Sequence, residues 1–172
     1  MSVTSSVAQS NGTPITTVIS YDGLGRKSSS NVANGQIVTT SLYDGRGRQA
    51  YTSLPFVNSP PAESCLQSDG TLVPANCTPA YGTLTRFDGI NRPTAVLQAG
   101  GATTTSQYQA DQTLVTDPTG AAKLHTADRD GNLVAVGEDP SAWKAGPLSG
   151  SHLNYATNYT YECAGRPAWN RG

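Results

Sequence analysis

The stretch Tyr21-Asp22-Gly23-Leu24-Gly25-Arg26 is repeated as Tyr43-Asp44-Gly45-Arg46-Gly47-Arg48, 22 residues further along the chain. It returns as Phe87-Asp88-Gly89-Ile90-Asn91-Arg92, 44 residues beyond the second copy and so at twice the first interval. A looser copy is Tyr161-Glu162-Cys163-Ala164-Gly165-Arg166, and Ala127-Asp128-Arg129-Asp130-Gly131-Asn132 is a degenerate one. A recurring interval near twenty residues marks an array of small supersecondary units that bury their apolar faces only by stacking on one another.

Each part of the unit has a mechanical reading. The aromatic closes a strand and offers area to the neighbouring hairpin. The Asp side chain accepts bonds from N–H groups of the turn it starts. The two Gly positions permit positive φ, so the chain can reverse tightly. The Arg opens the returning strand, placed to stack on an aromatic or to pair with an Asp of an adjacent repeat. Tyr21, Asp22, Gly23, Gly25 and Arg26, Tyr43, Asp44, Gly45, Gly47 and Arg48, Phe87, Asp88, Gly89 and Arg92, and Tyr161, Gly165 and Arg166 are therefore structural turn residues.

Outward from these corners the chain reads as strands. Ile15, Thr17, Ile19 and Tyr21 alternate with Thr16, Val18 and Ser20, a period of two. Residues 26–32 lead to Asn34-Gly35, a strong hairpin signal, and residues 36–43 return to the next Asp-Gly. Residues 92–98, a turn at Gly100-Gly101 and residues 103–109 repeat that layout. Residues 114–116 and 123–128 flank another turn, Asp117-Pro118-Thr119-Gly120. No stretch sustains helical periodicity. Two segments break the pattern: residues 55–80, which hold five Pro and two Cys, read as an inserted loop, and residues 139–150 read as irregular. The length of 172 residues fits a single β domain.

Composition agrees with strands and excludes several partners. There are 21 Thr against two Phe and one Met, a bias towards β structure. Charged residues make up only 13%, and the net charge is −1, so no field draws in nucleic acid or an acidic membrane. Six of the eight Arg (Arg26, Arg46, Arg48, Arg92, Arg129 and Arg166) lie in or beside turns instead of forming a basic block. No apolar run is long enough to span a bilayer, and residues 1–10 carry no signal-peptide pattern, so the chain reads like an excerpt. Cys65, Cys77 and Cys163 make an odd count. Cys65 and Cys77 either close the inserted loop as a disulfide, which implies an oxidising compartment, or stay free with Cys163.

Tyr-Asp-x-x-Gly-Arg at this period resembles the YD (RHS) repeat family of bacterial polymorphic toxins, insecticidal toxin complexes and teneurins. The resemblance covers residues 14–165 apart from the insertion. It implies a long β-sheet that spirals into a shell or stands as a cell-surface scaffold, secreted or displayed outside the cell. Its partners would be other repeats of the same parent chain or copies of itself. Toxin members end in a self-cleaving segment containing Asp-Pro-x-Gly. Asp117-Pro118-Thr119-Gly120 has that local form but lacks the aromatic lead-in and is followed by more repeat-like sequence, so it reads as a hairpin turn.

Residues that suggest chemistry have simpler readings. Asp128 with Asp130, and Glu138 with Asp139, are pairs of acids in turns, where solvated caps are the ordinary finding. His125 and His152 lack a Gly-x-Ser-x-Gly context, and no Cys-x-x-Cys or other metal spacing exists. No catalytic residue, metal or cofactor is expected. The aromatics Trp143, Tyr155, Tyr159 and Trp169 form the candidate ligand-binding set, suited to stacking on glycans, with coverage of the ladder between repeats as the competing role. The expected molecule is an all-β, self-associating architectural segment of consecutive antiparallel hairpins in a twisted repeat sheet. A carbohydrate- or cell-surface-binding module is the alternative.

Overall fold

The computed structural model describes residues 1–9, 12, 14–32, 36–57, 65, 77–138 and 156–161. Among these, all regular structure is β: β1 (Ser2–Val7), β2 (Ile15–Tyr21), β3 (Lys27–Val32), β4 (Ile37–Tyr43), β5 (Gln49–Ser53), β6 (Gly82–Phe87), β7 (Pro93–Gln98), β8 (Thr103–Gln109), β9 (Gln112–Thr116), β10 (Ala122–Ala127), β11 (Leu133–Gly137) and β12 (Ala156–Asn158). They form an antiparallel sheet whose strand order is the order of the chain. The expected fold class is therefore the observed one. By internal contacts the chain divides into two compact units, Met1–Asn91 with Val96–Ala102, and Arg92–Ala95 with Thr103–Gly172.

In the first unit the alternation seen in sequence becomes cross-strand pairing. Val3 faces Ile19 and Val7 faces Ile15 between β1 and β2, and Val32 faces Ile37 between β3 and β4. The turn expected at Asn34-Gly35 lies outside the described residues. The register slips by one residue at Ser20/Tyr21 and again at Leu42/Tyr43, just before each Asp corner. Such a slip bends the strand and raises its twist.

The core of this unit is thin and centres on Tyr51, which is 3% exposed, with Ala50, Leu84 and Leu97 also buried. Tyr51 pairs with Leu84 across β5 and β6 and donates its hydroxyl to the Tyr81 carbonyl at 3.3 Å. Gly82 is needed beneath the ring, because a Cβ there would lie 2.5 Å from Tyr51 Cε2 and Cζ. Buried Ser53 accepts the Thr40 N–H at 2.8 Å where the β4–β5 ladder ends, and Phe56 then bridges back to Val38.

Residues 54–81 connect β5 to β6, in the region expected to be an insertion. Cys65 and Cys77 form a disulfide there, with Cα atoms 5.2 Å apart. Cys65 and Pro79 are fully buried, and Arg86 of β6 donates to the Cys77 carbonyl at 3.3 Å. The crosslink thus ties Cys65 to the stretch that leads into β6, beside the sheet. The irregular segment at residues 139–150 lies outside the described residues.

The second unit buries Leu114, Ala122 and Leu124 on β9 and β10, with Leu114 directly opposite Leu124. β8 and β9 are joined by the two-residue turn Ala110-Asp111, in which Ala110 has φ +49°.

With cores this small, a closed loop contributes noticeably to stability. Its two cysteines are 12 residues apart in sequence. Reducing the bond is expected to cost about 2–3 kcal/mol. Thermal melts followed by circular dichroism with and without reductant should show a lower Tm for the reduced protein, with the strand signal intact at low temperature.

Candidate functional site

Each corner is a five-residue loop built on one Asp. At Asp22, Oδ1 accepts the N–H groups of Leu24 and Arg26, both at 2.9 Å. Oδ2 accepts Arg26 Nε and Nη2, both at 2.7 Å. The backbone closes the same loop: Asp22 N–H donates to the Arg26 carbonyl at 2.9 Å, and Gly25 N–H to the Asp22 carbonyl at 3.1 Å. Asp44 repeats every bond with Arg46, Gly47 and Arg48. Asp88 accepts from Ile90 N–H at 2.9 Å, and Asn91 occupies the left-handed position at φ +72°.

Two further corners follow the same plan without an Arg. Asp117 binds the N–H groups of Thr119 and Ala121 and the Thr119 hydroxyl, which donates at 2.7 Å. Asp128 binds the N–H groups of Asp130 and Asn132 and also the Asn132 side-chain amide at 3.0 Å. Asp130, paired with Asp128 as a candidate acid in sequence, is here a donor within the turn. What the corners share is an Asp at the first position and a left-handed residue at the fourth: Gly25, Gly47, Asn91, Gly120 and Gly131, with φ between +72° and +89°. Gly23, Gly45 and Gly89 have no positive φ. Of the two glycines that permit it, the later one uses that freedom; Pro118 and Arg129 take the earlier place in the other corners.

The Arg spans two repeats. The acid it pairs with is the Asp four residues before it, not one in an adjacent repeat as the sequence suggested, because the loop brings that carboxylate to Nε and Nη2 at once. Its outer face then lies on an aromatic at the end of a later strand. Arg26 sits 4.2 Å from the Tyr43 ring centre, Arg48 4.6 Å from Phe87, and Arg92 4.2 Å from Tyr108. Stacks of this kind contribute about 0.5–1 kcal/mol at partly exposed positions. Arg48 Nη1 reaches on to the Asp88 carbonyl at 2.9 Å and Asn91 Oδ1 at 3.2 Å, and Arg46 Nη1 reaches the Gly89 carbonyl.

The tyrosines answer in the other direction. Tyr43 donates its hydroxyl to the Lys27 carbonyl at 2.9 Å, Tyr108 to that of Pro93 at 2.8 Å, and Tyr161 to that of Leu133 at 2.7 Å. In each case the acceptor is the residue just after the fifth position of the preceding corner. Tyr108 was missed in sequence because no Asp follows it. The usable signal was an aromatic at a strand end 16 residues after an Arg, against 17 for Tyr43 after Arg26.

Of the candidate ligand-binding aromatics, Tyr159 is 41% exposed, and its N–H donates to the Val134 carbonyl. Trp143, Tyr155 and Trp169 lie outside the described residues, as do Gly165 and Arg166.

A cleft of about 260 Å³ in the second unit is lined by Val115, Ala121 and Ala122 and by Asp117, Lys123, His125 and Glu138. Lys123 and Glu138 pair with each other at 2.8 Å, which raises the Lys123 pKa through the hydrogen bond and the opposite charge. Asp117 is held below the ordinary carboxylate value, chiefly by the Thr119 hydroxyl. A raised Lys is a poorer nucleophile, and a lowered Asp a poorer proton donor. Among the described residues no cluster of His, Cys, Asp or Glu has the arrangement to hold a metal ion, and no helix is long and apolar enough to cross a membrane. No protein-family model matches this chain, and no curated protein matches it.

The glycine assignment predicts a contrast. Gly25→Ala and Gly47→Ala force a side chain into the left-handed region, at about 1–2 kcal/mol each, and at Gly47 the new Cβ also meets Arg26 Nη1 at 3.2 Å. Gly23→Ala meets nothing within 4 Å. Thermal melts should show the first two lowering Tm by several degrees and the third leaving it level or slightly higher.

A pH dependence also follows. Asp22 is lowered from 3.8 mainly by the backbone and side-chain bonds from Arg26. For Asp44, desolvation is the largest single influence and pushes upward, but the bonds and charge of Arg48 with the Arg46 N–H bond together bring it below 3.8. Asp128 is lowered by Asn132 first. A carboxylate with a depressed folded-state pKa stabilises the fold above its unfolded value, and that contribution is lost as pH falls through the folded value. Stability in urea should be flat from neutral pH to about 4 and decline below it; an Asp44→Asn variant should be less stable at pH 7 and show a shallower acid decline.

Proposed function

We propose that this chain is a structural repeat segment of a YD-type β scaffold, an extracellular or toxin-shell wall, and acts without catalysis. The observation that carries this reading is the ladder: an Asp caps each corner, at Asp22 and Asp44 an Arg locks onto that Asp and stacks on the next aromatic, and a Tyr hydroxyl returns to the previous corner. The polar groups of the corners bind one another and the neighbouring repeat. They are committed to holding strands in register, which is what a wall requires. The raised Lys123 and lowered Asp117 in the cleft support the same view, since both shifts run against acid–base or nucleophilic use. The Cys65–Cys77 disulfide fits an oxidising compartment, secreted or at a cell surface. Other repeats of the parent chain, or copies of itself, are the partners this reading requires.

A repeat wall tolerates removal of one period, whereas a domain organised around a unique site does not. Excising residues 23–44 joins Asp22 to Gly45, regenerates an intact corner and keeps the strand register, because the two copies are 22 residues apart. The shortened protein should fold cooperatively with a β spectrum and a lower Tm. Failure of the excised protein to fold, alongside a folded Gly23→Ala control, would overturn the scaffold reading.

A further inference from the structure

The corner at Asp117 departs from its counterparts at one atom. At Asp22 and Asp44, Oδ2 receives Nε and Nη2 of the fifth residue of the corner, Arg26 or Arg48. At Asp128 it receives the side-chain amide of the fifth residue, Asn132. The fifth residue of the Asp117 corner is Ala121, which has no donor on its side chain. Among the described residues, the bonds to the Asp117 carboxylate all fall on Oδ1: the N–H groups of Thr119 and Ala121 at 2.8 and 3.0 Å, and the Thr119 hydroxyl at 2.7 Å. In all four corners Oδ1 takes the N–H groups of the third and fifth residues. The carboxylate is thereby held in one orientation, with Oδ2 beside the side chain of the fifth residue. At Asp117 that place belongs to the cleft, which Asp117 and Ala121 both line.

We propose that this cleft binds a small alkyl guanidinium compound, whose head takes the position at Asp117 Oδ2 that Arg26 and Arg48 take at their own corners. The chain itself shows the chemistry that fits. In the Asp22 corner the alkylated nitrogen of a guanidinium and its neighbour converge on the one oxygen at 2.7 Å, and in the Asp44 corner at 2.6 Å. An ammonium is a compact charge without that planar fork. Charge favours the same ligand. Lys123 and Glu138 pair with each other at 2.8 Å, so Asp117 is the lining carboxylate with no ion pair among the described residues. Val115, Ala121 and Ala122 offer apolar surface to the ligand's stem. A volume of about 260 Å³ suits a compound the size of an arginine side chain. The site goes beyond the scaffold reading, since it lies in the second unit and uses a carboxylate oxygen that the ladder leaves to it.

Titrating the full chain with propylguanidinium should give saturable shifts of the Thr119, Ala121 and Lys123 amides in a nuclear magnetic resonance spectrum. Propylammonium should bind about tenfold more weakly or worse, and Asp117→Asn should weaken propylguanidinium by a similar factor. Ala121→Arg, at an exposed position, supplies the head from the chain itself. It should abolish binding with the β spectrum intact, so the test stands even if Asp117→Asn fails to fold. Absence of saturable shifts, equal affinity for the ammonium, or undiminished binding by folded Ala121→Arg overturns the site. A Gly-Arg-Gly peptide blocked at both ends that binds tenfold more tightly than propylguanidinium overturns the small-molecule occupant in favour of an arginine on another chain. None of these outcomes bears on the period excision, which removes residues of the first unit only.

Discussion

The fold depends on one carboxylate used twice. At Asp22 and Asp44, one oxygen gathers the N–H groups of a tight reversal and the other anchors the guanidinium that leaves it. A five-residue loop contains more backbone donors than its own carbonyls satisfy, and an unpaired N–H removed from water is costly. Asp meets that need with a side chain short enough to reach back into its own turn. Only afterwards does the Arg become a connector, since its remaining nitrogens and its flat face are presented to the next repeat already oriented.

This ordering explains why a chain with so little apolar burial is built of many strands. The first unit buries Tyr51 and a few small or aliphatic side chains, and the second buries Leu114, Ala122 and Leu124. Serine, threonine and glycine supply the rest of the sheet, and cross-strand ladders with corner-to-corner stacking compensate for the missing core. Where the Arg is absent, as at Asp117 and Asp128, Thr119 or Asn132 replaces its bond to the carboxylate within the turn, but no stack onto a following ring accompanies it. The corner and the connection between corners are thus separable parts.

Much of this was legible in the sequence, because the corner is a local structure with local requirements. The Asp, the pair of glycines open to a left-handed backbone and the period could be read directly, and so could β2, β3, β4 and β8 to within a residue. β1, β5 and β6 were harder to see. Ser-Val-Thr-Ser-Ser-Val and Gln-Ala-Tyr-Thr-Ser have strand propensity without a clear apolar alternation, and their pairing depends on neighbours that lie elsewhere in the chain. Gly82 carries no sequence signal either, since its smallness is imposed by the ring of Tyr51 across the ladder. The first glycine of each corner misled for the opposite reason: it recurs in three copies yet occupies ordinary backbone space. The choice of Arg partner turned on the same locality, a carboxylate four residues back being nearer than any in the next repeat.

In the first unit, the corners at Asp22, Asp44 and Asp88 all follow even-numbered strands, and the 28-residue connection from β5 to β6 follows an odd-numbered one. The sheet is therefore two-sided in its tolerance of length. Along the corner side every added or lost residue would break a bond measured from one turn to the next. Along the opposite side the polypeptide can depart and return, stapled at its base, with the ladder unaffected. New sequence acquired by such an array, whatever it came to recognise, would accumulate on that permissive border.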